Sequence, residues 1–89
     1  MSMYEHQLQV LTILSGNLRK PKPQSVPTAS IAEEMGIQLA KLHLVLNTMN
    51  ANGLIQTNSD LQYNIITQKG LRYLGDHQLR YLRPSLEKL

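Results

Sequence analysis

The sequence predicts a mainly helical fold with a small β-hairpin, and three observations support this fold class. Two short helical stretches, at 29–35 and 38–50, are joined by a tight turn near the middle of the chain. Two strand-like runs, at 54–57 and 61–66, follow them directly and flank a polar turn. Apolar residues at helical spacing lie before and after this unit. The predicted order is therefore helix, connector, two helices, hairpin and helix.

The N-terminal segment predicts a first helix over about 3–15. Ser2 is a suitable N-cap and Gly16 a stop signal. Apolar side chains recur at helical spacing at Tyr4, Leu8, Leu11 and Leu14. The following segment, 19–27, contains three prolines, which exclude regular helix, so we expect an extended connector in which 24–26 can pair as an edge strand.

The central pair of helices has the spacing of a helix-turn-helix. Thr28 is a suitable N-cap for the first of them, in which Ile31 and Met35 lie four residues apart on one face. Gly36 follows at a position where the backbone needs φ > 0, which glycine reaches without steric cost. The residues expected to let the second helix cross closely and join the core are Ala32, Ile37, Leu42 and Val45.

The second half of the chain predicts the hairpin and a last helix. Leu61, Tyr63 and Ile65 alternate with polar residues, as expected for a strand with one buried face. Thr67 is the expected N-cap of the last helix, and Pro84 should kink or end that helix. The expected apolar positions of this segment are Leu71, Leu74, Leu79, Leu82, Leu86 and Leu89.

The composition limits the class of protein. Eighty-nine residues are enough for one small domain, with a core over 4–75 and a tail over 76–89. The absence of cysteine excludes a disulfide framework and a thiolate metal site. The sequence has neither an apolar run long enough to span a membrane nor a signal peptide, so it predicts a soluble cytoplasmic protein without membrane contact.

The distribution of charge is more informative than the net charge of +3, which is a mild indication of a polyanionic partner. Residues 28–66 carry only Lys41 against three acids, a net charge of −2. The helical pair is therefore not basic itself. The basic residues cluster on either side of it, at Arg19, Lys20 and Lys22, and at Lys69, Arg72, Arg80 and Arg83.

The sequence offers no pattern of catalytic, metal-binding or cofactor-binding residues. His6, His43 and His77 are far apart, and no pair of histidines lies four residues apart on a helix. The five glycines are isolated, so none forms a phosphate-binding loop, and no serine lies in a nucleophile elbow. We therefore expect a protein that is not an enzyme and that uses no cofactor or metal.

Three segments resemble the winged helix-turn-helix superfamily. They are Ile31-Ala32-Glu33-Glu34-Met35-Gly36-Ile37, Asn52-Gly53-Leu54-Ile55, and Ile66-Thr67-Gln68-Lys69-Gly70-Leu71-Arg72-Tyr73-Leu74. The last two are similar to the start and end of the wing in many bacterial and archaeal regulators, and the likeness covers 4–75. It implies a three-helix core, a wing of two to three strands and a C-terminal helix. It also implies a small prokaryotic or phage transcriptional regulator that binds duplex DNA, although fold alone does not determine function.

In this resemblance the helix 38–50 is the recognition helix, which lies in the major groove. The helical period turns six residues toward the bases: Gln38, Leu39, Ala40, His43, Leu44 and Asn47. Glutamine and asparagine can contact adenine bidentately, and leucine or alanine can pack on a thymine methyl, which suits A·T-rich DNA. The expected phosphate contacts are Arg19, Lys20, Lys22, Lys41, Thr48, Lys69 and Arg72. The acidic tip at Asn58-Ser59-Asp60 departs from a basic wing, so we do not expect it to enter the minor groove.

Two further questions stay open at the level of sequence. The tail residues Leu79, Tyr81, Leu82, Leu86 and Leu89 either pack on the first helix of their own chain or form a homodimer interface that pairs two recognition helices, and we favour the dimer. Leu39, Ala40 and Leu44 can alternatively bind a partner protein, which would make the domain an interaction module without DNA binding. RNA binding through the basic connector lacks an aromatic stacking platform.

Overall fold

Four helices and a small antiparallel sheet make up the fold, as shown by a computed structural model that describes residues 2–18 and 25–87, with side chains up to residue 77. The helices are α1 (Met3–Asn17), α2 (Thr28–Met35), α3 (Leu39–Ala51) and α4 (Gln68–Glu87). The strands are β1 (Val26–Pro27), β2 (Ile55–Thr57) and β3 (Tyr63–Ile66). The predicted mainly helical class with a hairpin is therefore confirmed, and a third strand joins the hairpin.

The sheet has the order β1-β3-β2, with β3 in the centre. The hairpin pairs Ile55 with Ile66 and Thr57 with Asn64. The short edge strand β1 pairs with the other side of β3, with Val26 opposite Asn64. The edge strand predicted at 24–26 is observed at Val26–Pro27, so the two overlap at Val26, and residue 24 lies outside the described residues. Its second residue is a proline, which an edge strand tolerates because it has one side without ladder hydrogen bonds.

The hydrophobic core lies where α1, α2 and α3 meet the sheet and the start of α4. Of the residues predicted to hold the helical pair together, Ile31, Ala32, Leu42 and Val45 are buried and Ile37 is half-buried. The tight turn between α2 and α3 has the predicted form, because Gly36 has φ 69° and its N–H donates to the Ala32 carbonyl at 2.8 Å. The remaining buried apolar residues are Val10, Leu11, Leu14, Leu46, Met49, Leu54, Ile55, Ile66 and Leu74.

The buried face of α1 is rotated from the predicted one. Leu11 and Leu14 are buried as expected, whereas Tyr4 is exposed and Leu8 is only half-buried. The other buried residues of α1 are His6, Gln7 and Val10. Tyr4 contacts α4 and not the central core, because its hydroxyl is hydrogen-bonded to Nδ1 of His77.

Two of the three predicted N-caps are confirmed. The Ser2 hydroxyl accepts an N–H of the first turn of α1 at 3.2 Å, and the Thr67 hydroxyl accepts an N–H of α4 at 3.0 Å. The prediction for Thr28 is wrong, because α2 begins at Thr28 itself and Pro27 is the N-cap. The Thr28 hydroxyl is buried and donates instead to the Leu61 carbonyl, so it ties α2 to the hairpin.

The prediction of the buried face of β3 is also wrong, because the side chains that were expected to face the core lie on the solvent side of the strand. Tyr63 and Ile65 are 49% and 39% exposed, and Leu61 is half-buried just before the strand. Asn64 and Ile66 face the core instead, and Asn64 is only 1% exposed. The outer face of the hairpin therefore carries an aromatic and an aliphatic side chain in solvent.

Hydrogen bonds explain why an asparagine occupies the inner face of β3. The Asn64 amide nitrogen donates to the Val26 carbonyl at 3.1 Å and to the Thr28 hydroxyl oxygen at 2.8 Å. A buried amide with partners costs far less than one without them. Asn64 therefore joins β3, β1 and the start of α2 into one unit.

A close approach between α4 and the start of β2 requires a glycine. A methyl group added at Gly70 would lie 2.1 Å from the Leu54 carbonyl oxygen, well inside contact distance.

The sequence predicts that Pro84 kinks or ends the last helix. The helix does not end there, because the backbone of α4 continues to Glu87. Leu74 is buried as expected, whereas Leu71 is exposed. The side chains of Leu79, Tyr81, Leu82 and Leu86, and the whole of Leu89, lie outside the described residues.

Candidate nucleic-acid interface

The outward face of α3 is the surface on which the sequence places the site. Four side chains hold the opposite face in the core: Leu42, Val45, Leu46 and Met49. Their spacing leaves a continuous stripe toward solvent because the helix turns 100° per residue. The N-cap Gln38 makes no side-chain hydrogen bond to the helix, so its amide is free to point outward.

The six predicted base contacts lie along this stripe. Gln38, Ala40 and Asn47 are exposed, and Leu39 and Leu44 are 48% and 64% exposed. The sixth, His43, is half-buried, because it faces the hairpin side of the helix. Leu39 at the start of α3 and Leu44 in its middle thus place two aliphatic side chains in solvent on this face.

The predicted phosphate contacts are spread more widely. Lys41 is exposed on α3 itself. The Thr48 hydroxyl donates its proton to the Leu44 carbonyl at 3.0 Å, so it would have to rotate before it could donate to a phosphate. Lys69 and Arg72 are exposed on the first turns of α4. Arg19, Lys20 and Lys22 lie outside the described residues.

Lys69 lies beside the C-terminal end of α3. A methyl group added at Gly53, just past that end, would be 3.6 Å from Lys69 Cδ and 4.0 Å from its ammonium nitrogen. The last carbonyls of a helix carry partial negative charge, which favours a cation at this place. Lys69 therefore lies near the negative end of the α3 dipole.

The tip of the hairpin is a compact turn held by Asn58. The Asn58 side-chain oxygen accepts the N–H groups of Gln62 at 2.8 Å and Tyr63 at 2.9 Å, and its carbonyl accepts the Leu61 N–H at 2.9 Å. Leu61 takes a positive φ of 56°, which is uncommon for a leucine. The turn therefore has a defined shape, and the N–H groups of its last three residues are used within the protein.

A cleft of about 360 Å³ separates α3 from the hairpin tip. We call it the α3–hairpin cleft. Its lining residues are Pro27, Thr28, Ala29, Leu39, His43, Asp60, Leu61, Gln62 and Tyr63. The sequence prediction missed this feature, because it assigned Leu61 and Tyr63 to the core. Alternation along a strand does not show which of its two faces is buried, so no sequence signal points to the cleft.

Other kinds of site find no support in the described part of the chain. Residues 2–18 and 25–77, whose side chains the structure describes, contain no group of three histidine or acidic side chains that could hold a metal ion. Among the same residues, no helix combines the length and the apolar character needed to cross a membrane.

Solved structures that share this fold include two proteins. One is a protein of Ralstonia eutropha JMP134 with a proposed DNA-binding role; it has a TM-score of 0.66 and 20% identity over 81% of this chain and 93% of its own. The other is a mutant of Lactococcus lactis ZitR in apo form, with a TM-score of 0.68 and 19% identity over 97% of this chain. The match spans 63% of the ZitR chain. At these identities the likeness shows the fold alone.

No protein-family model matches the chain, and neither does any curated protein. The function therefore has to be argued from the surface that the fold presents.

Proposed function

We propose that this chain is a winged helix-turn-helix protein that binds duplex DNA, with α3 as its recognition helix and the β2–β3 hairpin as its wing. The observation that carries the proposal is the outward face of α3, where amide and aliphatic side chains lie side by side in solvent. The fold shared with a protein of proposed DNA-binding role supports it. The function would be that of a small prokaryotic or phage transcriptional regulator.

The chemistry of this face suits A·T-rich sequence. Gln38 and Asn47 carry amides that can contact adenine bidentately, while Leu39, Ala40 and Leu44 can pack on thymine methyl groups. His43 lies at the edge of the face, toward the hairpin, and can reach a phosphate or a guanine.

Phosphate contacts would supply most of the affinity. Lys41 lies on α3, where it can neutralise a phosphate at the edge of the major groove. The first N–H groups of α3 are not capped by a side chain, and free N–H groups at a helix start suit a phosphate oxygen. The basic connector would add to this attraction.

The wing has a different part in this proposal. Its tip carries Asp60 and exposes no basic residue, so it repels phosphates and stays out of the minor groove. It lies beside α3 instead and limits how the helix can approach the duplex.

We further propose that the protein acts as a homodimer. Two copies would place two recognition helices on two half-sites, and the predicted interface is the leucine-rich tail with α1. The first half of α4 is already engaged within the chain, where His77 contacts Tyr4 and Tyr73. The second half of α4 would then supply the contact with the partner subunit.

The test is DNA binding measured by fluorescence anisotropy with A·T-rich and G·C-rich duplexes of equal length. Lys41→Ala should weaken binding to both duplexes alike, because a phosphate contact carries no sequence information. Asn47→Ala should lower the preference for the A·T-rich duplex by about 1–3 kcal/mol, the value of one bidentate base contact. Gln68→Ala, an exposed amide on α4, serves as the control and should bind like the parent. Parent-like binding by both α3 variants would refute α3 as the recognition helix.

A second candidate is a protein-interaction module that uses the same helix. The exposure of Leu39 and Leu44 favours it, since two aliphatic side chains in solvent suit a protein partner as well as thymine methyl groups. A folded Leu44→Glu variant separates the two functions. Loss of a protein partner with unchanged DNA affinity would support the interaction module, whereas loss of DNA affinity would support the recognition helix.

A further inference from the structure

The α3–hairpin cleft has mainly apolar walls and one charged group. Leu39, Leu61, Pro27 and Ala29 supply apolar surface, and Asp60 is the only residue among those that line the cleft to carry a full charge. Its volume of about 360 Å³ lies at the lower end of the range of small-molecule sites. The size and the mixture of groups fit a small ligand with an apolar body.

The backbone of the hairpin wall of the cleft, at residues 61–63, leaves little for a phosphate or a peptide to bind. The N–H groups of Leu61, Gln62 and Tyr63 all donate to Asn58. The carbonyls of Leu61 and Gln62 accept the hydroxyl and the N–H of Thr28. Recognition by the hairpin wall is therefore left to its side chains.

Those side chains favour a positive charge. Asp60 provides a carboxylate, and Tyr63 is half-exposed, so its ring can lie against a cation. The starts of α2 at Ala29 and of α3 at Leu39 both line the cleft and carry partial positive charge, which acts against a cation beside them. The charged end of a ligand would therefore lie at the hairpin, and its apolar end against Leu39.

We propose that the α3–hairpin cleft binds a small organic ammonium ion with an apolar body, and that this ligand competes with DNA. The second half of the proposal rests on the proposed function, because Leu39 and His43 belong both to the cleft and to the predicted DNA-binding face. An acidic wing tip then has a physical role, since it selects a cation rather than a phosphate.

The test is an NMR titration of the full chain with benzyltrimethylammonium chloride at about pH 8, where an ordinary imidazole is neutral. Benzyl alcohol, which has the ring without the charge, is the matched ligand control. We expect the ammonium ion to shift the amide signals of Leu39, His43, Leu61 and Tyr63, with a dissociation constant about three- to tenfold lower than that of the alcohol.

Two isosteric variants distinguish the effect of the Asp60 carboxylate from the effect of removing a negative charge elsewhere on the protein. Asp60→Asn should weaken binding of the ammonium ion about three- to tenfold and leave the alcohol unchanged. Asp76→Asn removes an exposed acid on α4, away from the cleft, and should have no effect. Equal binding of the two ligands, an unchanged affinity in Asp60→Asn, or no shifts at millimolar ligand would overturn the site.

Competition is measured separately by adding the ammonium ion to the protein–DNA complex. We expect the apparent DNA affinity of the parent to fall as the ligand saturates, and that of Asp60→Asn to fall only at higher ligand concentrations. Unchanged DNA affinity at saturating ligand would overturn the competition. The NMR titration contains no DNA, so it tests the ligand site even if the proposed DNA-binding function is refuted.

Discussion

Asn64 illustrates how one buried polar side chain determines local structure. Its amide nitrogen has two partners, in β1 and at the start of α2, but its amide oxygen is buried without a hydrogen-bond partner among the described residues. Directly across the hairpin, the Thr57 hydroxyl oxygen is also buried without one. The two ends of the Asn64 amide therefore make opposite contributions to stability.

Substitutions at these two positions should have opposite effects. Asn64→Ala removes the donor from the Val26 carbonyl and the Thr28 hydroxyl, so it should lower the free energy of unfolding by about 2–3 kcal/mol. Thr57→Val keeps the shape and removes a buried polar atom without a partner, so it should raise that free energy by up to about 1 kcal/mol. Urea unfolding followed by circular dichroism measures both, and a larger loss in Thr57→Val would contradict the account.

The placement of α3 residues is the part of the candidate site that the sequence predicts well. Leu42 and Val45 fix which face of the helix is inward, and the helical period then places Leu44 and Asn47 outside. The state of Thr48 could not be predicted, because whether a helical threonine donates to the preceding turn depends on its rotamer.

At the scale of elements, the contact between α4 and the start of β2 depends on the absence of a side chain at Gly70. The N–H of Gly70 donates to the Thr67 hydroxyl at 3.0 Å, and the Thr67 N–H donates to the Leu54 carbonyl at 3.2 Å. This brings the first turn of α4 against Leu54 so closely that a side chain at Gly70 does not fit. Gly70 is therefore needed for the close packing of α4 against Leu54.

Two glycine substitutions in the same helix test this packing. Gly70→Ala should lower the free energy of unfolding by about 2–3 kcal/mol, because the added methyl group overlaps the Leu54 carbonyl oxygen. Gly75→Ala is the matched control, since nothing lies within 4 Å of its added methyl group, and it should raise that free energy by about 0.5–1 kcal/mol. Thermal unfolding of the two variants decides the matter, and equal changes in both would refute the close approach.

The hairpin shows where prediction from sequence fails at this scale. The positions of its strands and its turn follow from local residues, and the sequence predicts both to within two residues. The sequence does not predict which face of β3 is buried, because that depends on Val26 and Thr28, which lie far away in sequence and supply the partners that Asn64 needs. Apolar Tyr63 and Ile65 then occupy the outer face, contrary to their hydrophobicity.

At the scale of the molecule, the described basic residues do not form one patch. Lys41 lies on the outward face of α3, whereas Lys69 lies past the opposite end of that helix, beside Gly53. Counting lysines and arginines along the sequence could not separate these positions, because the position of Lys69 depends on how the start of α4 packs against Leu54, just past the end of α3. The two lysines should therefore contribute to different properties.

Salt dependence of DNA binding distinguishes the two lysines. Each phosphate contact contributes about −0.9 to the slope of log affinity against log salt concentration, so Lys41→Ala should reduce the steepness by about one unit. It should leave stability nearly unchanged. Lys69→Ala should instead keep the slope and lower the free energy of unfolding by about 0.3–1 kcal/mol, because the C-terminal end of α3 loses its cation. Anisotropy titrations at several salt concentrations and urea unfolding give the two quantities for each variant. If Lys69→Ala lowered the slope as much as Lys41→Ala does, the DNA would have to reach the far end of α3, and the whole length of the helix would belong to the interface.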